Sequence, residues 1–167
     1  MNGPQNLWWR QARSDLDLFH ALRRNGVSEC HLLHYLQMTT EKLSKAYLWR
    51  SLTPPSRTHT GFSRFIRALL SRQGELDRIA SVLDLKDAAG LERWAKIVQP
   101  LAYALQSIAP AEAGDGPNPE YPWPHIAPTE CPTDHTFALW QQLSKTGRGR
   151  ELMKFISRAV NHFDQIA

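Results

Sequence analysis

Apolar side chains recur in alternating steps of three and four along much of this chain. The most regular stripe lies in residues 28–50, where positions 33, 36, 40, 43 and 47 are Leu, Leu, Thr, Leu and Tyr. This spacing predicts an α-helix with a stripe wide enough to contact two neighbours. Ser28 can cap its start, whereas Pro54 and Pro55 cannot continue a helix. The rest of the chain is predicted to pack around this central helix.

The same periodicity predicts helices on both sides of the central one. They cover residues 5–24, 60–71, 76–83, 91–108, 134–147 and 150–166. Thr133 and Asp134 are predicted to cap the helix that Gly147 ends, and Pro100 should kink the long helix near Lys96 or break it. No alternation of period two is long enough for a sheet. The predicted class is all-α, an up-and-down bundle of four to five main helices with an additional C-terminal helix.

Residues 109–132 differ from the rest in composition. They hold seven of the 11 prolines, together with glycine and acidic residues, so no regular element fits there. Tyr121 and Trp123 are predicted to hold this long Pro-rich loop against the bundle. With 167 residues, of which 42% are hydrophobic, the chain is expected to form a single domain, 1–167.

The net charge of +4 hides an uneven distribution. Residues 1–73 hold 11 Lys and Arg against 4 Asp and Glu, whereas residues 74–135 hold 4 against 10. No acidic residue lies between Glu41 and Glu75. The cations in that interval are Lys42, Lys45, Arg50, Arg57, Arg64, Arg67 and Arg72. This excess indicates an anionic partner, or else a basic face that pairs with the acidic middle segment of the same chain or of a second copy.

Several classes of site and location are disfavoured. The longest apolar run, residues 101–105, is far shorter than the roughly 18 residues of a membrane span, and residues 1–9 do not resemble a secretory signal. Cys30 and Cys131 are therefore predicted to be free thiols in the cytoplasm. His31 and His34 lack the further ligands of a metal site. We expect no membrane span, metal or cofactor.

Three short sequence motifs follow one another along the chain. They are Q-x-x-x-E-K-x-x-K-A at residues 37–46, Thr-His at residues 58–59 and Tyr-Pro at residues 121–122. In this succession the chain resembles the HEPN superfamily of small helical-bundle domains, over about residues 5–124. The resemblance implies a helical bundle, frequent dimerisation and membership of a prokaryotic defence or toxin–antitoxin type system.

The resemblance implies two functional branches. One consists of metal-independent ribonucleases in which about four to six residues lie between an arginine and a histidine near the final helix. The other lacks that pair and acts as a binding partner, often of a nucleotidyltransferase domain. Here six residues separate Arg13 from His20 and Arg24 from His31, but in the first third of the chain.

Near the last helix, three residues lie between Arg158 and His162, fewer than in the family motif, but residues four positions apart share a helical face. They are either a displaced active site, or His162 is simply a partly exposed helix residue.

His59 is the second candidate catalytic residue. It comes just before a predicted helix N-terminus, which favours phosphate, and Arg57 and Arg64 flank it. A ribonuclease that uses no metal needs a base for the 2′-hydroxyl and a cation for the phosphorane, which a histidine and an arginine can supply. The alternative is that His59 caps the helix and holds the loop against Lys45 or Tyr47.

The leading interpretation is a homodimeric binding module that engages RNA, a nucleotide or a nucleotidyltransferase partner through a basic surface. The predicted phosphate-binding residues are Lys45, Arg57, His59, Arg64, Arg67 and Arg72. The alternatives are a metal-independent endoribonuclease, using His59 with Arg57 or His162 with Arg158, and a structural dimerisation bundle. Whether the protein is an enzyme stays open at this point. Glu41 and Lys45 are predicted to form a surface pair.

Overall fold

A computed structural model describes residues 1–49, 54–55, 58–114, 116–123 and 130–167. Within these ranges the chain forms helices and no strand, which confirms the all-α class. The helices are α1 (Gly3–Arg24), α2 (Glu29–Leu48), α3 (Phe62–Leu70), α4 (Leu76–Val82), α5 (Ala88–Gln106), α6 (Pro110–Ala113), α7 (Ala138–Lys145), α8 (Gly147–Asn161) and α9 (Phe163–Ile166). A short 3₁₀ turn, Gln73–Glu75, precedes α4. In the part of the chain described, no helix combines the length and apolar character of a membrane span.

Helix α2 is the central element, as its apolar stripe predicts. It packs most extensively on α1 and also contacts α3, α5 and α8. Leu33, Leu36 and Leu43 are fully buried on its apolar stripe. The polar side chains of Thr40 and Ser44 are buried as well, so α2 is covered on more sides than two neighbours could cover.

Helix α1 is anchored at its start and along its length. The Asn2 side chain accepts a hydrogen bond from the Gln5 amide, and the Gln5 side chain accepts one from the Asn2 amide, each at 2.9 Å. This capping box satisfies two free amides and starts the helix earlier than predicted. The Trp9 indole donates to the Val160 carbonyl at 2.7 Å, which ties α1 to α8.

Helix α5 runs through Pro100 as one element, so the predicted alternative of a break into two pieces is wrong. A proline removes the backbone bond to the carbonyl four residues earlier, here that of Lys96. Both residues are exposed, and water can therefore satisfy that carbonyl.

The C-terminal part departs most from the predicted boundaries. Helix α7 begins at Ala138, later than the predicted cap at Thr133 and Asp134. The reason is distant in sequence, because the Glu29 carboxylate of α2 accepts from the Phe137 amide at 2.8 Å. Gly147, predicted to end this helix, is instead the first residue of α8.

The Pro-rich segment contains one helical turn, α6, and a turn organised by Asn118. The Asn118 side chain accepts from the Glu120 amide at 3.0 Å and from the Tyr121 amide at 2.8 Å. Trp123 is buried edge-on against His135 and Phe137, as predicted for an anchoring aromatic. Tyr121 is 61% exposed and does not anchor the segment.

Candidate functional site

Arg64 and Arg67 lie on the solvent side of α3. The apolar residues of this helix, including Phe65 and Ile66, occupy its core side and leave positions 64 and 67 exposed. Residues three apart are neighbours on a helix surface, so the two guanidinium groups point the same way. Neither has a carboxylate partner among the residues described. Of the predicted basic surface, these two arginines lie close together and are exposed to solvent.

Arg72 has a different role. Its side chain is only 17% exposed. Its Nη2 lies 2.6 Å from the Glu75 carboxylate, and its Nη1 donates to the Ile166 carbonyl at 2.5 Å. At this position the basic region pairs with the acidic middle segment of the same chain. Arg72 therefore joins the α3–α4 junction to α9 and is not available to an external phosphate.

Lys45 does not lie on the surface, and the prediction of a surface pair with Glu41 was wrong in that respect. The residue is 8% exposed, and its ammonium group is bonded to the Glu41 carboxylate. It also lies over the Trp8 ring, 5.1 Å from the ring centroid. Arg57, predicted to act beside His59, lies outside the described residues, as does Arg50.

His59 contacts Glu41 instead of the predicted Lys45 or Tyr47. The His59 Nδ1 lies 2.5 Å from the Glu41 Oε2, and the side chain is 32% exposed. Gly61, two residues later, approaches α2 closely, because a Cβ there would lie 3.1 Å from that of Ser44. The described residues just before α3 are thus held against α2 by the contact between His59 and Glu41 and by the close approach of Gly61.

Glu41 is the shared acceptor of this cluster. Burial by itself would raise the pKa of Glu41, but the hydrogen bonds from Lys45 and His59 outweigh burial and hold the pKa below its ordinary value. An ionised carboxylate only accepts, so the His59 Nδ1 is the donor in this contact, and in the neutral imidazole Nε2 then has the free lone pair. The cluster can therefore orient His59 as a base.

Arg158 and His162 have separate partners. Arg158 Nη2 lies 3.3 Å from the Asp84 carboxylate, which also binds Lys154 at 2.6 Å. His162 ends α8, and its Nδ1 lies 3.4 Å from the Gln165 side chain. The Arg158 charge is already paired, so it is poorly placed to stabilise a phosphorane.

Helix α5 extends the exposed face of α3. The Gln99 side chain donates to the Ser63 carbonyl at 3.5 Å, and the Ser63 amide donates to Gln106 at 3.0 Å. Lys96 and Tyr103 are three positions before and four after Gln99, so they share its face of the helix. Both are exposed, and Tyr103 is 62% exposed. Our sequence interpretation missed these two residues, although both lie off the apolar stripe of α5.

We call the exposed set on these two helices the α3–α5 surface. It consists of Arg64, Arg67, Lys96 and Tyr103. It combines three cations with an aromatic ring on rigid elements, which is the chemistry of a polyanion interface.

Both cysteines of the chain lie within the described ranges. Cys30 is buried, Cys131 is exposed and both are free, as predicted. No group of three His, Cys, Asp or Glu residues is placed to hold a metal ion in those ranges. Comparison with protein families, curated proteins and solved structures found no match to this chain.

Proposed function

We propose that this protein is a binding module that engages single-stranded RNA through the α3–α5 surface. The observation that carries the proposal is the exposure of Arg64 and Arg67 on one face of α3, without a carboxylate partner in the described ranges. Successive phosphates of a nucleic acid are the anions that such a row of cations attracts, with release of bound counterions.

The neighbouring helix supports a single strand over a duplex. Unpaired bases can stack on an exposed aromatic ring, and Tyr103 offers one on the same face of α5 as Lys96. The apolar side of α3 is locked in the core by Phe62, Phe65 and Ile66, so its arginines are held on a rigid element before the ligand arrives.

The resemblance to HEPN domains supplies the proposed biological setting. By analogy, we place the protein in the cytoplasm as a homodimer of a prokaryotic defence or toxin–antitoxin type system, and a nucleotidyltransferase-type protein is the proposed protein partner. This analogy rests on the three fragments at residues 37–46, 58–59 and 121–122. If RNA does not bind, the remaining proposal is a structural bundle that serves dimerisation.

The arginines of α3 provide the direct test. The double variant Arg64→Glu with Arg67→Glu is expected to weaken binding of a labelled single-stranded RNA about 10- to 100-fold, because two phosphate contacts are replaced by repulsion. The slope of log affinity against log salt should become shallower by roughly 1.4, since each contact to a single strand contributes about 0.7. Fluorescence anisotropy at several salt concentrations measures both quantities.

The matched control is Arg10→Glu with Lys86→Glu. Both positions are exposed, and the change in net charge is the same. This variant should bind RNA with nearly the affinity of the wild type. If the two double variants lose affinity equally, net charge alone governs binding and the α3–α5 surface is not the site.

A second candidate function is supported by the contact between Glu41 and His59. Of the two neutral tautomers, a carboxylate 2.5 Å from Nδ1 favours the one with the proton on Nδ1, and in that tautomer Nε2 of this partly exposed side chain can act as a base. The candidate is a metal-independent endoribonuclease whose base is His59, with Arg64 as the nearest exposed arginine along the described chain.

This second function predicts RNA cleavage in the presence of EDTA. His59→Ala should abolish the cleavage because the base is lost, whereas His162→Ala should leave it unchanged. Gel analysis of a labelled RNA over time measures the rate. Absence of cleavage by the wild-type protein would remove the candidate, and loss of cleavage in His162→Ala alone would move the active site to α8.

A further inference from the structure

A cleft lies between α1 and α8, away from the residues of the α3–α5 surface. Its volume is about 250 Å³. Phe19 and Met153, both buried, form its apolar floor. Its polar lining includes His20, Arg23, Arg150 and Lys154.

The register of the two helices explains why these side chains converge. Positions 150, 153, 154 and 157 are on one face of α8, and positions 19, 20 and 23 are on one face of α1. The apolar members of each set join the helices, and the cationic members are left at the rim. No carboxylate lines the cleft among the described residues.

Most of this positive charge is not neutralised within the described chain. Arg150 donates to the Lys145 carbonyl at 3.1 Å, which is a neutral acceptor. No carboxylate of the described residues pairs with Arg23. Among the described residues, Lys154 is the one cation of the cleft with an acidic partner, Asp84, at 2.6 Å. Like charges brought together beside a low-dielectric floor raise the local positive potential and attract an anion.

The positive charge at this cleft also acts on His20. Burial lowers the pKa of His20, and the charges of Arg23 and Arg24 lower it further, while Asp17 opposes them. The imidazole is therefore neutral near pH 7 and can accept or donate a hydrogen bond at the rim without adding charge.

We propose that the α1–α8 cleft binds a small phosphomonoester of the size of a nucleoside monophosphate. Arg23 and Arg150 contact the phosphate, and the organic part lies against Phe19 and Met153. The volume of about 250 Å³ is just below the roughly 300–1,000 Å³ of pockets that bury most of a drug-sized ligand, so a nucleoside monophosphate fills the cleft and keeps its phosphate at the rim. This site is separate from the proposed RNA interface and does not depend on it.

Asp84 lowers the positive charge available at this site, because it pairs with Lys154. Its carboxylate holds Lys154 and Arg158, and its backbone has a φ of 62°, a conformation that asparagine also tolerates. Asp84→Asn therefore releases both cations without changing the turn. Affinity for the phosphomonoester should rise severalfold in this variant.

Isothermal titration calorimetry with adenosine monophosphate, inorganic phosphate and adenosine tests the assignment. The wild-type protein should bind adenosine monophosphate more tightly than phosphate, and adenosine least. Arg23→Gln with Arg150→Gln should weaken binding of adenosine monophosphate about tenfold or more, since bonds to charged groups are lost. Both side chains are exposed, and matching circular dichroism and thermal unfolding confirm that the variant is folded.

Two controls make the outcome specific. Arg10→Gln with Lys86→Gln removes the same charge elsewhere and should leave the affinity unchanged. Arg64→Glu with Arg67→Glu should also leave it unchanged, which separates this proposal from the RNA interface. The proposal is overturned if no probe binds, if adenosine binds as tightly as its monophosphate, or if the Arg23 and Arg150 variant retains full affinity.

Discussion

Replacing Gly149 with alanine is expected to destabilise the protein by about 3 kcal/mol. A Cβ at this position would lie 2.2 Å from the Gln142 carbonyl oxygen and 2.5 Å from the Leu143 Cα. These are backbone atoms of α7, so no side-chain rotation can relieve the clash. The two helices would have to separate at a point where Leu143 is fully buried.

The junction leaves little freedom for such a movement. Thr146 is the single residue between α7 and α8. Its hydroxyl donates to the Gln142 carbonyl at 2.6 Å and accepts from the Gly149 amide at 3.1 Å. The same side chain therefore ends one helix and caps the next, and it holds the two backbones in contact.

Gly147→Ala is the matched control. No atom outside its immediate surroundings lies within 4 Å of a Cβ built there, although it is on the same helix two positions earlier. It should leave stability unchanged or raise it by up to about 1 kcal/mol, because alanine favours a helix. Urea unfolding followed by circular dichroism measures both variants. A loss below about 1 kcal/mol in Gly149→Ala would mean that α7 and α8 do not approach this closely.

The helices and their core faces were predictable because each is encoded locally. The three-four spacing of Leu33, Leu36 and Leu43 places these side chains on one face of α2 whatever surrounds it, and all three are buried. The apolar positions of α3 were found in the same way. Burial of an apolar stripe is the dominant favourable contribution to folding. The three-four spacing of apolar residues is therefore recognisable in the sequence.

The ends of the C-terminal helices were not predictable from neighbouring residues. The amide at the start of α7 is satisfied by Glu29, which is more than 100 residues away in the chain. Gly147 resembles a helix stop, yet the close approach that requires a glycine is at Gly149. Both features depend on how α7 meets its neighbours, which no local pattern contains.

The candidate site was predicted only in part for a related reason. Charged residues four apart suggest a pair but do not tell whether the pair is exposed, and Lys45 is buried on a helix that other elements cover. Polar residues on α2 are tolerated inside because they bond to their own helix, as Ser44 does to the Thr40 carbonyl at 2.5 Å. The exposure of Arg64 and Arg67 could be predicted, because it depends only on which face of α3 is apolar.

Replacing Glu41 with glutamine is expected to lower the free energy of unfolding by about 3–5 kcal/mol, because it leaves a buried ammonium group without its counter-charge. Lys45 is bonded to this carboxylate and is only 8% exposed. The control is Glu92→Gln, the same chemical change at an exposed position, which should alter stability by no more than about 0.5 kcal/mol. Urea unfolding at pH 7 measures both.

A double variant separates the loss of the pair from a loss of packing. Lys45→Met in the Glu41→Gln background removes the stranded charge and keeps the apolar stem, so it should restore much of the lost stability. A double variant as unstable as the sum of its single variants would show that Glu41 and Lys45 do not interact energetically.

The dependence of stability on pH tests whether Glu41 stabilises the folded protein in its ionised form. The folded protein holds the pKa of Glu41 below its ordinary value, so the folded state binds this proton less readily than the unfolded chain. The stability that Glu41 contributes is therefore complete above about pH 4.5 and declines as the pH falls through the lower, folded-state pKa. The difference in unfolding free energy between wild type and Glu41→Gln should shrink over that acidic range. A difference that stays constant from pH 7 to about pH 3 would contradict an ionised Glu41 at the centre of the cluster.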